Sequence, residues 1–361
     1  MTLSPVFRSR AAVQLLEEQG VWDRLAPDVE AQADAVRTLY ADLRQILGEE
    51  FLREPGPLPS GSEATSPEGL PFLQEYFFLV LFRSILGALG TPADRLRLYT
   101  ELNFCVKGTI TAADNLFDDQ DKSLLPLRPV AGARFRSILQ LMCFERLVRR
   151  TLERAEHGHV VDGAQRDAIL RGLLDRMAAI GTLEGSEEGG VEEIPAPEEM
   201  VEAVHRVRGG ALFSLAFVGP SVLEEGARGE AVARAEPAVA RLGTAFQIVD
   251  DLTDFEFDLD RRSHNLLTSQ IHHHGTPEER EALQRLRDGS EEPAEGMVEA
   301  RFRTSARAVL ERAYAEARAS FRALRELGHW FDPELADDVV HAIVGLDGVA
   351  RMEALTSPTR S

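Results

Sequence analysis

Cysteine is nearly absent: the 361 residues include two, Cys105 and Cys143. So few thiols exclude a disulfide framework and fit a reducing compartment. Positive charge is scarce as well, with 40 Lys and Arg against 60 Asp and Glu, giving a formal charge of −20. A nucleic-acid backbone needs a basic face, so no nucleic-acid partner is expected. Long apolar runs are missing too. The most conspicuous, Tyr76-Phe77-Phe78-Leu79-Val80-Leu81-Phe82, is far short of the roughly 20 residues a membrane helix needs, so no integral membrane segment is expected. The segment Met1 to Arg10 has no signal-peptide apolar core. A cytoplasmic protein is the expectation, touching membranes only through a greasy substrate or product. There is no alternating strand pattern, short-period repeat, glycine-rich phosphate loop, dinucleotide fingerprint or Cys–His nucleophile pair.

What is present reads as helix. Hydrophobic residues make up 44% of the chain, ample for the core of one large helical domain. Residues 1–51 read as N-terminal helices, 52–71 as a Pro/Gly/Ser-rich connector, 72–355 as a core forming one domain with the N-terminal helices, and 356–361 as a flexible tail. Thr91-Pro92 reads as a helix start, since proline is favoured in the first turn. Helices are expected over 132–157 and 162–183, then an acidic loop from Glu184, then helices near 197–218, 237–260, 276–288, 295–327 and 332–354. Pro237 is read as beginning its helix. The fold class is all-α.

Two acidic clusters stand out on helical segments more than a hundred residues apart: Asp114-Asn115-Leu116-Phe117-Asp118 and Asp250-Asp251-Leu252-Thr253-Asp254. Helical residues four apart stack on one face, roughly 5–6 Å between Cβ atoms. Asp114 and Asp118 therefore point one way, with Asp121 a turn on. Asp250, Asp254 and Asp258 form a second stack. Stacked carboxylates repel each other, so they call for a counterion. Mg²⁺ prefers hard oxygen ligands, often one or two carboxylates completed by phosphate oxygens. Opposed stacks of this kind would grip a diphosphate through bridging metal ions. The second stack also ends an apolar stretch, Phe246-Gln247-Ile248-Val249, as expected for a helix rising from a core to line a cavity. The run His272-His273-His274 reads instead as a solvated helix end.

The stretch Phe246-Gln247-Ile248-Val249-Asp250-Asp251-Leu252-Thr253-Asp254 resembles the second aspartate-rich motif (FQxxDDxxD) of the trans-polyprenyl diphosphate synthases. Asp114-Asn115-Leu116-Phe117-Asp118 resembles their first motif (DDxxD), with Asn in the second place. The resemblance covers roughly residues 70 to 270. It implies a single-domain helical bundle of the class I isoprenoid synthase type with a central apolar cavity, commonly as a homodimer. It implies Mg²⁺, three ions per site, held by Asp114, Asp118, Asp250, Asp251 and Asp254, and a prenyl diphosphate substrate. Arg206, Arg208, Arg261 and Arg262 become candidate diphosphate contacts. Gln247 and Asp121 become candidates for the second shell or the substrate side.

The departures are informative. Chain-elongating members bind isopentenyl diphosphate through a Gly-Lys-Arg loop, but no Lys or Arg occurs here between Arg53 and Arg83. Their Arg-Arg pair after the first motif falls on Ser123-Leu124, their central Lys-Thr pair on Arg208-Gly209, and their later Lys near His264. A second dianionic substrate needs fixed positive charge. Retained acids with lost cations suggest ionisation of one allylic diphosphate, with the cation cyclised or quenched as in terpene synthases. Arg206-Val207-Arg208-Gly209-Gly210-Ala211 loosely resembles the diphosphate-sensing arginine and helix break of those enzymes. Prenyl transfer to isopentenyl diphosphate is the alternative, and an inactive helical regulatory subunit a further one. Ile110 and Thr109, just before the first motif, leave room for a fifteen- or twenty-carbon chain, with Phe104 either the floor of the pocket or plain core.

Overall fold

The computed structural model describes residues 14, 16–59, 70–117, 121–129, 132–187, 189–294, 296–343 and 346–357. They form helices throughout. Among the described residues there is no strand, only an isolated antiparallel bridge between Leu52 and Leu127. The all-α expectation is met. The chain divides into two compact units, one mainly Gly20–Leu173 with Leu215–Ala233, the other mainly Leu174–Ser214 with Arg234–Ser361.

The first unit contains α1 (Val21–Ile46), α2 (Leu70–Ala88), α3 (Ala93–Phe117), α4 (Ala133–His157), the start of α5 (Gly163–Ser186) and α6 (Val218–Leu223). In α1 the residues Val21, Leu25, Val29, Val36, Leu39 and Leu43 recur at spacings of three, four and seven residues and are all buried. That stripe is what fixes α1 against α2, α3 and α4. Phe104 of α3 lies within ring-contact distance of Tyr40, Tyr76 and Phe144, at centroid separations of 6.3, 5.7 and 5.9 Å. It is therefore core. Gly108 allows α3 and α4 to close up: a Cβ there would lie 2.0 Å from the Phe144 ring.

The second unit contains a turn at Pro197–Glu199, a π-helix over Met200–Gly210, Ala211–Ser214, and the later part of α7 (Gly226–Thr253). It continues through α8 (Phe255–Arg261), α9 (Leu266–His274), α10 (Pro277–Arg287), α11 (Met297–Arg301), α12 (Arg303–Glu326), α13 (Ala336–Ile343) and α14 (Leu346–Thr356). Ala306, Val309, Leu310, Ala313, Ala317, Phe321 and Leu324 form the buried stripe of α12, which packs on α9 and α13. Thr276 and Glu279 make a reciprocal capping box that starts α10, with Pro277 in its first turn.

Some boundaries differ from expectation. Pro237 lies well inside α7, which begins at Gly226. A proline there removes one helical hydrogen bond, to the carbonyl four residues back, and flanking packing keeps the helix continuous. The helix expected over 295–327 breaks at Phe302, whose φ of −117° turns its buried ring onto Phe255. The helix expected over 197–218 is largely π rather than α.

Candidate active site

In the first unit, α3 carries Asp114 and Asn115 in its last turns. Asp114 is exposed, whereas Asn115 is 1% exposed. Asp118 lies outside the described residues. The Asn115 amide closes the loop that follows: Nδ2 donates to the Lys122 carbonyl at 2.7 Å and Oδ1 accepts from the Lys122 N–H at 3.1 Å. The amide matters, because a carboxylate could not donate to that carbonyl. Gln140 of α4 reinforces the loop through Lys122 and Leu124. Tyr40 donates to the Leu124 carbonyl, and Arg53 and Arg128 stitch the start of the connector to residues 126–128. Asp121 is engaged by Arg136 at 2.6 and 2.7 Å. Lys107 is held by the Glu75 carboxylate at 2.8 Å. Burial pushes the Lys107 ammonium down, against the pull of Glu75.

In the second unit, the acids of α7 divide by depth. Asp250 and Asp254 are exposed; Asp251 is 2% exposed. Neighbours in a helix point about 100° apart, so one of an adjacent pair can be core while the other is rim. Helix α7 ends at Thr253, and Asp254, at φ −98° and ψ 14°, leaves the helical region before α8 begins, yet hydrogen bonds of helical spacing bracket the junction. The Asp254 N–H donates to the Asp250 carbonyl and the Asp258 N–H to the Asp254 carbonyl, each at 2.8 Å. Asp250, Asp254 and Asp258 are thus carried on one continuous backbone run.

A buried network supports that run. Asp251 Oδ2 meets His205 Nε2 at 2.8 Å and accepts from the Leu266 N–H at 2.5 Å. The other ring nitrogen of His205 faces the Met200 carbonyl at 3.2 Å. Asn265 donates to the Asp251 carbonyl and to Asp258 Oδ2, while its own oxygen caps α9 through Leu267 and Thr268. Burial, then the charge of Asp251, with Asp250 and Asp254 adding to it, push the Asp258 carboxyl up to about 9, against the Asn265 hydrogen bond. Arg351 of α14 donates to the carbonyls of Leu252 and Thr253 and pairs with Glu256 and Glu299, closing the C-terminal end of α7.

The expected cations are engaged within this unit. Arg206 pairs with Glu202 at 2.6 Å. Arg208 pairs with Glu184 and Glu187 at 2.5 and 2.6 Å. Arg261 lies over the Phe257 ring at 5.1 Å, and Arg262 adopts a left-handed conformation at the end of α8. Gln247 is buried and its amide reaches Asp250 Oδ2 at 3.4 Å. His272, His273 and His274 occupy the last turn of α9, where His273 meets the Ile194 carbonyl at 2.9 Å. Sequence reasoning missed His205, Asn265 and Arg351. Asn265 carries a readable signal, an Asn directly before an apolar helical run; the other two have none in their local sequence.

Asp250 and Asp254 fit a divalent ion by donor chemistry: two exposed hard-oxygen ligands, one helical turn apart. Among the described residues no group of three or more His, Cys, Asp or Glu is placed to hold a metal ion alone. Further ligands would have to come from water or a bound phosphate. Among the described residues no helix is long and apolar enough to cross a membrane.

No model of a known protein family matches the sequence, and no curated protein matches it. Solved structures do share its fold. A decaprenyl diphosphate synthase from Rhodobacter capsulatus is 19% identical, with a TM-score of 0.58 over 89% of this chain and 99% of the other. A polyprenyl synthase from Roseobacter denitrificans is 18% identical, with a TM-score of 0.54 over 93% and 98%. A polyprenyl synthase from Caulobacter crescentus, complexed with calcium and isoprenyl diphosphate, is 16% identical, with a TM-score of 0.55 over 93% and 98%. The chain therefore has the all-α fold of the polyprenyl diphosphate synthases. At these identities the likeness is one of fold.

Proposed function

We propose that this protein is a divalent-metal-dependent enzyme of prenyl diphosphates that ionises an allylic diphosphate and transfers the resulting cation to isopentenyl diphosphate. One observation carries the reading: Asp250 and Asp254 are exposed at the end of a helix whose last turns are otherwise largely buried, on a fold shared with polyprenyl synthases. Those two acids, with Asp114 and Asp118, are the proposed Mg²⁺ ligands. Asp251, buried against His205, acts from behind them. When bound, the metal neutralises the leaving diphosphate as a Lewis acid. The protein's part is to hold the carboxylates in place, to offer Arg206, Arg208, Arg261, Arg262 and Gln247 on the diphosphate side, and to keep water from the cation.

The fold neighbours favour transfer over cyclisation. One feature favours the second reading, a terpene-synthase-like outcome: the want of cations for a second diphosphate. No Lys or Arg lies between Arg53 and Arg83, and Lys107 is committed to Glu75. The deciding experiment incubates the protein and Mg²⁺ with farnesyl or geranylgeranyl diphosphate, with and without isopentenyl diphosphate. Longer diphosphates formed only with the C5 unit support transfer. Hydrocarbons or alcohols formed without it overturn transfer in favour of cyclisation or quenching. No turnover with any prenyl diphosphate would defeat both.

A further inference from the structure

A cleft in the second unit carries opposite charges on its two walls and leaves them unpaired. It encloses about 450 Å³, a volume usual for small-molecule sites. One wall is α10, which presents Arg280, Leu283, Gln284 and Arg287 at the three- and four-residue intervals of a single helix face. The other wall is Glu192, Glu193 and Ile194, with His272 from the last turn of α9 beside them. Among the described residues, the side chains of Arg280, Arg287, Glu192 and Glu193 form no ion pair and no hydrogen bond. Arg285, on another face of the same helix, pairs with Glu281 and Glu291 at 2.9 and 3.3 Å.

Fixed backbones keep the two walls from closing on each other. The Val191 N–H donates to the Arg262 carbonyl at 2.8 Å, and the Ile194 carbonyl meets His273 Nε2 at 2.9 Å. The Ser269 hydroxyl donates to the Pro195 carbonyl at 2.6 Å. Glu192 and Glu193 are thus pinned on both sides. On the facing wall, buried Ala282 and Leu286 and the capping box at Thr276 hold α10 in place. The cationic wall has a strong field of its own. Burial, then the charge of Arg262, lowers the Arg287 pKa. Partial burial, then the charges of His273, Arg287 and Arg280, lowers that of His272. An anion among these groups would stabilise all of them.

The chemistry of the walls narrows the ligand. A planar guanidinium takes a phosphate through paired N–H donors. Carboxylates are acceptors only, so Glu192 and Glu193 suit hydroxyl or amino groups and repel a second phosphate. Leu283 and Ile194 offer apolar surface between the charges. A free phosphate ion would fill only a fraction of the volume. We propose that this cleft binds a molecule of nucleoside monophosphate size and character. Its single phosphate lies against Arg280 and Arg287, its hydroxyl or amino groups against Glu192 and Glu193, and its body over Leu283 and Ile194. No covalent step and no metal are involved. The site is separate from the acids of α7: Asp251 holds Leu266 at the start of α9, and His272 stands six residues on, roughly 9 Å along the axis.

Calorimetric titration of the full-length protein with adenosine 5′-monophosphate and with uridine 5′-monophosphate, in EDTA and low salt, tests this without turnover. At least one is expected to bind with a Kd below about 1 mM. The matching nucleoside and inorganic phosphate should each bind at least tenfold more weakly. Arg280→Gln and Arg287→Gln are each expected to weaken the nucleotide at least tenfold, and joint replacement of Glu192 and Glu193 by Gln about threefold. That acid-free variant should bind inorganic phosphate no more weakly than the parent. A thermal melt matching the parent's confirms that each variant is folded. Failure of the folded parent to bind either nucleotide overturns the proposal. Equal affinity for nucleotide and inorganic phosphate also overturns it, since a bare patch of charge would do the same. Unchanged binding in Arg287→Gln, with loss in Arg208→Ala, would move the nucleotide to the proposed diphosphate side and overturn the cleft as well. Inactivity towards prenyl diphosphates would defeat the proposed function and leave this readout standing.

Discussion

Gly209 of the π-helix and Gly243 of α7 meet backbone to backbone: a Cβ on Gly209 would lie 2.4 Å from the Gly243 carbonyl oxygen, and one on Gly243 would lie 2.2 Å from the Gly209 carbonyl oxygen. Neither contact involves a side chain that could swing aside, so any larger residue must push the helices apart. Overpacking of this kind costs about 1–3 kcal/mol, and a backbone-limited contact belongs at the upper end. Gly210 is less confined, with its nearest atoms at 3.2 Å. Gly243→Ala is therefore expected to melt well below Gly210→Ala in thermal unfolding, and to lose activity as well, since Gln247 and Asp250 follow on the same helix. Equal melting temperatures for the two variants would refute the close-contact account.

The depth difference along α7 separates chemistry from support. Asp250→Asn and Asp254→Asn alter exposed carboxylates, so each is expected to lower turnover at least a hundredfold while leaving urea unfolding within about 0.5 kcal/mol of the parent. Asp251→Ala strands the buried His205 ring and the Leu266 N–H. Leaving a buried polar group without its hydrogen-bond partner costs about 1–3 kcal/mol. The expected pattern is activity loss without destabilisation at two positions and marked destabilisation at the one between them. An Asp251→Ala variant as stable as Asp250→Asn would contradict it.

Much of this is readable in one dimension, for physical reasons. The stripes of α1 and α12 recur with helical period because each buries a single face, so periodicity alone locates them. Asp250 and Asp254 are legible because a one-turn spacing survives the end of α7. Asp251 is not separable from Asp250 by sequence, since burial is a property of what packs behind it. His205 reaches its carboxylate across 46 residues and Arg351 its carbonyl across 99. Pairings of that range leave no local trace. Pro237 misleads because proline is common in first turns, while its toleration inside α7 depends on the packing around it.

His329 gives a pH signature away from the acids. Its ring is 3% exposed, lies parallel to Phe331 and accepts from the Phe331 N–H at 3.4 Å. Burial pushes its pKa down to about 4. Between the unperturbed value of about 6.5 and this lowered one, the unfolded chain binds the proton and the folded chain does not. Stability from this group is therefore complete above pH 6.5 and is lost as pH falls towards 4, by on the order of 3 kcal/mol at most. His329→Phe removes the titration. The stability difference between parent and variant should be flat from pH 7 to 8 and shift in the variant's favour between pH 6.5 and 4. Parallel urea-unfolding curves for the two proteins across that range would show that the ring protonates freely in the fold.

Arg351 secures the end of α7 where Asp254 begins. Its guanidinium serves the Leu252 and Thr253 carbonyls and two carboxylates, Glu256 and Glu299, from a side chain that is largely buried. The last carbonyls of a helix lack intrahelical donors, so this arginine replaces what the helix cannot supply for itself. A lysine presents one point charge where four acceptors converge on a fork, so it cannot satisfy them together. Arg351→Lys is thus expected to lower stability by about 1–3 kcal/mol, and Arg351→Met by more, because Glu256 and Glu299 lose their counter-charge. The C-terminal turn of α7 should then fray and blur the spacing of Asp250 and Asp254. That effect is read as a rise in the Mg²⁺ concentration needed for half-maximal pyrophosphate binding, measured well below the melting temperature. A variant that melts early but keeps the parent's Mg²⁺ requirement would show that Arg351 stabilises the fold without setting the geometry of the acids.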